Sequence, residues 1–548
     1  MPELSSTEPF GAAPEVKIPR SYNAAHDLIG RNLAAGRQDR PAFVDDRRSI
    51  TYGELARRVS CFASGLRSIG VEREDRILLC MLDTIDWPTV FLGAIKAGVV
   101  PVCVNTMLAP ADYDYMLRDS RAKALFVSRA LFAAFDGVHA AIPSLSRVVI
   151  SEAPLADIGD GGDIGDIGAI LENGQPDFDA VDTCADDACF WLYSSGSTGV
   201  PKGTVHCHSS LIQTAELYAR PTLGISEHDR TFSAAKLFFA YGLGNALTFP
   251  MSVGATSVLM AERPTPDAVF KRLTGELPAA ADGARPSIFY GVPTLYAGML
   301  ASEGFPARDR LGLRVGVSAG EALPEKVGRR FTEKTGVEVL DGIGSTEMLH
   351  IFLSNQRGRV RYGTTGVAVP GYRLKLLSDS AGEVGAGAEV GPGEIGDLYI
   401  NGPTSALYYW NQREKTRQTF QGGWTRSGDK YIRSQDGYYT YAGRSDDMLK
   451  VSGQFVSPFE VESAISTHEA VLEAAVVGQQ DADGLIKPKA FVVLKQGQQP
   501  GPDLAEALKL HVRQTLTPFK YPRWIEFVEE LPKTATGKIR RFRLRAGD

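Results

Sequence analysis

From position 50 onward, apolar residues fall into two alternating rhythms. Short runs of strand length occupy 76–82, 99–104 and 125–127. Longer segments of helical character occupy 55–69, 87–97 and 113–119. This alternation predicts a doubly wound, largely parallel β-sheet in an α/β fold. A second βα series begins at Cys189, with strands over 231–235, 256–260, 287–290, 313–318 and 337–340. Its helices lie over 267–273, after Pro293 and after Pro324. Residues 371–402 change to short strands and Gly-rich turns, the pattern of a small β subdomain. From Asp447 a fresh α+β pattern starts, with helices over 458–468 and 504–516 and strands over 474–477, 490–494 and 524–528. About 100 residues suffice for one separate small domain. The stretch 156–168 repeats Asp-Ile-Gly and reads as a surface connection.

Composition narrows this picture without changing it. A chain of 548 residues with 43% hydrophobic and 23% charged residues is long enough for several soluble domains with large cores. A net charge of -6 argues against a general nucleic-acid partner. No run of 18 apolar residues and no signal pattern occurs, so no membrane partner is expected and the cytoplasm is the expected compartment. The six cysteines form no CxxC pair and read as reduced thiols. His206-Cys207-His208 is poorly spaced for one metal ion. Basic residues gather near the C-terminus, where 533–545 holds six of them and no acid.

The densest chemistry lies in Ser194-Ser195-Gly196-Ser197-Thr198-Gly199-Val200-Pro201-Lys202-Gly203. The apolar run 189–193 precedes it and a helix is expected over 209–220. A Gly/Ser/Thr loop between strand and helix turns many N–H and O–H donors toward one anion, and a lysine adds charge. An ordinary solvated turn is the bland alternative. The loop is not a Walker loop, because no Gly-Lys-Ser/Thr triplet stands at the required spacing. Four further stretches carry reactive groups. Ser345-Thr346-Glu347 ends a strand and offers either a carboxylate for Mg²⁺ beside phosphates or a helix cap. Asp429 follows Gly428 in what reads as a polar turn, suited to sugar hydroxyls. Residues 443–450 join the two compositional regimes, and Pro532-Lys533-Thr534-Ala535-Thr536-Gly537-Lys538 lies in a C-terminal loop.

Taken in order, SSGSTGVPKG, GIGSTE, TRSGD, YAGRSDDMLKVSG and PKTATGK resemble the adenylate-forming family of acyl-CoA synthetases over nearly the whole chain. The resemblance implies a large N-terminal domain of three subdomains over 1–445 and a small mobile C-terminal domain over 446–548, with a hinge at Asp446. It implies activation of a carboxylic acid by ATP with Mg²⁺, release of pyrophosphate, and transfer of the acyl group to coenzyme A. A carboxylate approaching a polyphosphate is repelled by roughly 4 kcal/mol per unit charge pair at ~4 Å and an effective dielectric of ~20. Cations and donors must cancel that repulsion. By the resemblance Lys538 bridges carboxylate and α-phosphate, Thr346 contacts phosphate, and Glu347 holds Mg²⁺. Ser194, Ser195, Gly196, Ser197, Thr198 and Lys202 grip the outer phosphates. Gly320, Glu321, Ala322 and Leu323 lie along adenine, Asp341 joins the nucleotide set, and Asp429 and Arg444 take the ribose. Lys450, Ser452 and Gly453 guide the thiol after rotation at Asp446. Acetylation of Lys538 by a protein lysine acetyltransferase would delete the charge used in adenylation.

Residues 235–245, 289–294 and 348–350 are similar to benzoate–CoA ligases in particular. That implies a small aromatic carboxylic acid as partner, with a place in the degradation of aromatic compounds. The implied pocket is flat and lined by Ala240, Tyr241, Ala319, Gly320, Gly342, Ile343, Gly344 and His350, the glycines and alanines leaving slots for a ring. Read for themselves, the adjacent Phe238 and Phe239 are core residues. The ring substituent stays open, from none to hydroxy, amino or halo. One rival keeps adenylation but loads a carrier protein's phosphopantetheine; the lack of a following carrier domain favours free coenzyme A. A luciferase-like peroxisomal oxygenase is disfavoured by the terminal Arg-Ala-Gly-Asp. Gly316-Val317-Ser318-Ala319-Gly320 fits the GxSxG of esterases, but Pro324 starts the next helix late for a tight elbow. Gly391-Pro392-Gly393-Glu394-Ile395-Gly396 spells a dinucleotide fingerprint ahead of a strand instead of a helix.

Overall fold

A computed structural model describes residues 2–10, 13–138, 141–152, 164–194, 201–277, 283–378, 387–445, 447–451, 454–481, 485–516, 520–533 and 539–546. The chain divides into two compact units. One comprises 1–362, 366–373 and 400–425, and the other 363–365, 374–399 and 426–548. The hinge expected at Asp446 lies outside the described residues.

Two large sheets organise the first unit, beside a two-stranded ladder of Ser6–Phe10 with Ala13–Lys17. In the first, parallel strands Val100–Cys103, Arg76–Cys80, Ala124–Ser128, Arg147–Ser151 and Ile164–Asp166 lie side by side. Strand Ala188–Ser194 joins them in parallel next to Val100–Cys103, and Lys202–Cys207 and Tyr408–Tyr409 extend the edge antiparallel. In the second, Val339–Gly344, Val315–Ser318, Ile288–Gly291, Arg230–Ser233, Thr256–Val258 and Pro41–Val44 run parallel in that order. One apolar core runs from Leu79 and Phe126 of the first sheet through the helix residues Phe62, Trp87 and Phe91 to Phe43 of the second. Strand segments such as 77–80 and 124–127 are buried apolar runs, as sheets covered by helices require.

The helices expected over 55–69 and 113–119 begin three residues earlier, at Tyr52 and Pro110. Tyr52–Gly65 opens on a capping box: Thr51 Oγ1 accepts from Glu54 N–H at 3.2 Å, and Glu54 Oε2 accepts from Thr51 N–H at 2.8 Å. Asp86 heads Asp86–Lys96 and is held by Arg48 at 2.7 Å and Arg58 at 2.8 Å.

Four local expectations are corrected. The two βα series do not each form their own sheet, because Pro41–Val44 joins the second sheet and Ala188–Ser194 joins the first. The loop after Ser194 does not lead into a helix. Strand Lys202–Cys207, paired antiparallel with Ala188–Ser194, comes first, and the helix expected over 209–220 follows it from His208. Of the stretch 156–168, the described part is no mere surface connection: Ile164–Asp166 form a strand and Ile167 is core. Asp429 lies not in a turn but on strand Trp424–Arg433.

In the second unit, strands Val471–Gln480 and Ile486–Leu494 pair antiparallel and Trp524–Phe527 adds in parallel. Helices Pro458–Ser466 and Pro502–Thr515 contribute Val461, Ile465, Leu508 and Val512 to a core with Val476 and Val492. A separate antiparallel ladder sets Asp429 opposite Arg444, between strands Trp424–Arg433 and Tyr439–Arg444.

Candidate active site

Ser194 ends its strand directly opposite Lys202 in the hairpin register. Glu347 follows the carboxyl end of Val339–Gly344 in the other sheet. Ligands of parallel α/β sheets bind beyond such strand ends. The two ends meet: Ser194 Oγ lies 3.4 Å from Glu347 Oε1, and Lys202 Nζ 4.0 Å from the same oxygen. Tyr409, which the sequence reading missed, completes the cluster. Its hydroxyl donates to Glu347 Oε1 at 2.7 Å, while Lys202 Nζ stands 3.4 Å from that hydroxyl and 4.4 Å from the ring centre. The signal available was Tyr408-Tyr409-Trp410, an aromatic triplet whose strand pairs Tyr409 with Thr204. Residues Ser195, Gly196, Ser197 and Thr198 lie outside the described residues.

His206 is the second residue that sequence reasoning passed over. It is fully buried, stacked on Phe190 at 5.2 Å, and its Nε2 lies 2.8 Å from the Thr346 carbonyl. As donor to that carbonyl it holds the peptide joining Thr346 to Glu347. Burial lowers its pKa to about 4, so the ring is neutral at pH 7. The neighbouring His208 instead accepts the Ala24 N–H on Nδ1 at 3.2 Å. No group of three or more His, Cys, Asp or Glu suited to a metal occurs among the described residues.

The His206 shift carries a stability prediction. The folded pKa is depressed below the unfolded value of about 6.5, so the stabilisation is complete above that pH and is lost as pH falls toward 4. Between pH 7.5 and 5, wild type should lose ~2 kcal/mol more than His206→Gln in denaturant titrations. Equal losses would show that the ring titrates freely in the folded protein.

Asp341 is buried, and burial pushes its carboxyl well above the ordinary range. Its Oδ1 accepts the Leu323 N–H at 3.2 Å, so it stands behind the segment Gly320-Glu321-Ala322-Leu323. Gly320 needs no side chain there, since its φ of +97° is left-handed.

Around the expected ring pocket, Tyr241 Oη donates toward the carbonyls of Val317 at 3.2 Å and Gly291 at 3.3 Å. His350 is buried, with Nε2 at 3.1 Å from Asn245 Oδ1 and 3.3 Å from the Tyr241 carbonyl. It packs on Phe249 with ring centres 4.4 Å apart. Burial lowers its pKa to about 3, leaving a neutral wall. Ala240 and Ile343 are half-buried and Ala319 is buried. Phe238 belongs to the core and the half-buried Phe239 packs against it, much as their adjacency suggests.

The glycines need a correction. A Cβ at Gly344 would stand 2.5 Å from the His350 carbonyl oxygen, and one at Gly342 3.1 Å from the Ile351 side chain. Strand Ile351–Ser354 demands these glycines at a β-bulge, so a larger residue at 344 would break the ladder before narrowing any slot. Ser318 is fully buried and its Oγ has no partner among the described residues. A nucleophile elbow would expose it.

In the second unit, Arg444 Nη1 donates to Asp429 Oδ1 at 3.2 Å and to the Ser427 carbonyl at 3.3 Å. Gly428 turns the strand here with φ +77°, and a Cβ on it would stand 2.9 Å from Arg444 Nη2. Lys450 is on strand Leu449–Val451. Asp446, Ser452, Gly453 and Lys538 lie outside the described residues.

Hydroxyls, a lysine and a carboxylate meet beyond strand ends of two doubly wound sheets, where α/β enzymes place their ligands. The chain belongs to the AMP-binding enzyme family: residues 31–410 match that family and 460–538 match the AMP-binding enzyme C-terminal domain. A benzoate–CoA ligase from Thauera aromatica is 58% identical over 99% of both chains. A crystal structure of a benzoate CoA ligase from Burkholderia xenovorans is 54% identical and superposes with a TM-score of 0.86, covering 96% of this chain and 100% of that one. An anthranilate CoA ligase crystallised with anthranoyl-AMP is 41% identical with a TM-score of 0.87, covering 97% and 98%.

Proposed function

We propose that this protein is an AMP-forming aryl acid–CoA ligase. It activates benzoate or a substituted benzoate with ATP, releases pyrophosphate, and passes the aroyl group to the thiol of coenzyme A. The carrying observation is the meeting of Ser194, Lys202, Tyr409 and Glu347 at one point, with Thr346 next in the chain, where a polyphosphate would be gripped. Lys202 and the hydroxyls of the 194–203 hairpin take the outer phosphates, so that pyrophosphate is the leaving group. Many separate donors suit release as well as binding. Glu347 is the residue that would hold Mg²⁺; one carboxylate flanked by hydroxyls fits an ion that takes most of its ligands from phosphate and water. When bound, Mg²⁺ would supply charge neutralisation to the phosphates.

Asp429 and Arg444 are paired for the ribose hydroxyls, and Asp341 fixes the backbone of 320–323 for adenine. Lys538 serves adenylation, and Lys450, Ser452 and Gly453 serve thiol transfer after rotation at Asp446 between 1–445 and 446–548. All six cysteines are free thiols, which fits the cytoplasm. No helix among the described residues is long and apolar enough to cross a membrane.

Pyrophosphate release measured over substituted benzoates, with and without coenzyme A, tests the reading. Release should require an aryl acid, and coenzyme A should be consumed to aroyl-CoA. Release with no thioester to coenzyme A, but loading of a phosphopantetheinyl carrier, would replace this reading with the carrier-loading one. The ring pocket is tested at Ala240 instead of Gly344. Ala240→Leu should raise KM for aryl acids at least ~10-fold, the scale of a misfit methylene or two, with KM for ATP within about 2-fold. Equal increases for both substrates would remove Ala240 from the pocket.

A further inference from the structure

The described residues flanking positions 534–538 are fastened firmly to the second unit. Lys533 and Ile539 form an antiparallel bridge, and Arg540 N–H donates to the Pro532 carbonyl at 2.7 Å. Lys533 Nζ reaches both oxygens of Glu473 at 2.7 Å. The next residue, Arg541, opens helix Arg541–Ala546 and grips Glu462 as a fork. Its Nη2 donates to Oε1 at 2.9 Å and Oε2 at 2.8 Å, and its Nε to Oε1 at 3.2 Å.

Glu462 lies in helix Pro458–Ser466, is only 6% exposed, and also accepts the Val476 N–H at 2.7 Å. A buried carboxylate with a bidentate guanidinium and a backbone donor has one well-defined geometry. The same Arg541 places Nη1 3.5 Å from Asp447 Oδ2, and Arg545 donates to Asp447 as well. Asp447 is the first residue after the expected hinge.

We infer that Arg541 is a positioning residue. With Glu462 and Asp447 it makes the residue after the hinge, the Pro458–Ser466 helix and the chain just beyond Lys538 into one piece. A rotation at the proposed hinge would then carry Asp447, this helix and Ile539, the described neighbour of Lys538, as one body. A charge that must bridge two reacting groups loses its effect when displaced by about 1 Å, at a cost of order 10²-fold. Lysine at 541 would keep the charge but not the fork. The inference rests on the proposed roles of Lys538 and the hinge.

The test uses the full-length enzyme with Arg541→Lys and Asp447→Asn, the latter leaving the buried Arg541–Glu462 pair intact. Aryl-acid-dependent ATP–pyrophosphate exchange, aroyl-CoA formation from supplied benzoyl-adenylate, and thermal unfolding are measured for each. Exchange kcat should fall about 10- to 100-fold in Arg541→Lys and several-fold in Asp447→Asn, with KM for ATP and acid nearly unchanged. Thiol transfer should stay within about 2-fold of wild type. In a Lys538→Ala background, Arg541→Lys should add no further loss of exchange. Parallel loss of both half-reactions, or undiminished exchange in the variants, would overturn the inference. If Arg541→Lys does not fold, Asp447→Asn decides by the same criteria. Wild-type enzyme showing no exchange with any aryl acid would overturn the proposed function instead.

Discussion

Lys538→Ala is expected to lower adenylation by about 10²–10³-fold and to leave aroyl-CoA formation from supplied benzoyl-adenylate close to wild type. The magnitude is that of removing one preorganised charge stabiliser from a transition state, ~3–4 kcal/mol. The reason is electrostatic: benzoate must come within contact distance of a tetra-anionic nucleotide, and each unit pair repels by roughly 4 kcal/mol at an effective dielectric of ~20. In the proposed reading Lys538 bridges the two anions and so lowers that barrier in the adenylation step alone. Thiol transfer starts from the neutral acyl carbon of an adenylate and does not need the bridge. Acetylation of Lys538 should reproduce the same division, since it deletes the charge and keeps the chain. Equal loss in both half-reactions would assign Lys538 a structural role. Stopped-flow or quench measurements of each half-reaction separate the outcomes.

Glu347→Gln should be nearly as damaging, lowering adenylation about 10²-fold and raising the Mg²⁺ concentration needed for half-maximal rate several-fold. Glu347 is the point where Ser194, Lys202 and Tyr409 meet, with the Tyr409 hydroxyl at 2.7 Å and Lys202 Nζ at 4.0 Å. Glutamine keeps the shape and can still accept from Tyr409, so the fold should hold and Tm should move little. What it removes is the negative charge that balances Lys202 and would attract the cation. If the variant loses activity with an unchanged Mg²⁺ requirement, Glu347 orders the hairpin and does not hold the ion. Titrating Mg²⁺ at saturating ATP and benzoate distinguishes these results.

Much of this arrangement was legible before any coordinates. The alternation of apolar runs and helical segments announced parallel sheets, although the helix expected over 55–69 starts earlier, at Tyr52, on the Thr51–Glu54 cap. The hydroxyl-rich hairpin, Thr346-Glu347 and PKTATGK were visible as chemistry because their residue types are costly to explain otherwise. Phe238 and Phe239 read as core because adjacent aromatics pack, and they do.

Other parts were hidden. Tyr409 lies more than 200 positions from Ser194 and carries no motif of its own. His206 looked like part of an unlikely metal triplet, yet it is a neutral ring holding the Thr346 carbonyl. Gly344 looked like a slot for a substrate ring, and the fold adds a second demand for glycine there, a bulge beside His350. In each case the local residues are compatible with several roles, and only the partner across the fold selects one.

The sequence by itself determined the element types, the order of the reactive motifs and, through them, the family and its chemistry. Periodicity and residue type act over a few neighbours and are fully present in the linear chain. Which strand lies beside which was decided only by tertiary structure. Pro41–Val44 and Ala188–Ser194 each pair in the sheet that the linear order did not suggest. Strand pairing across such separations depends on burying matched apolar faces against shared helices, a quantity no local window contains. The same long-range pairing brings Ser194, Lys202, Tyr409 and Glu347 to one point.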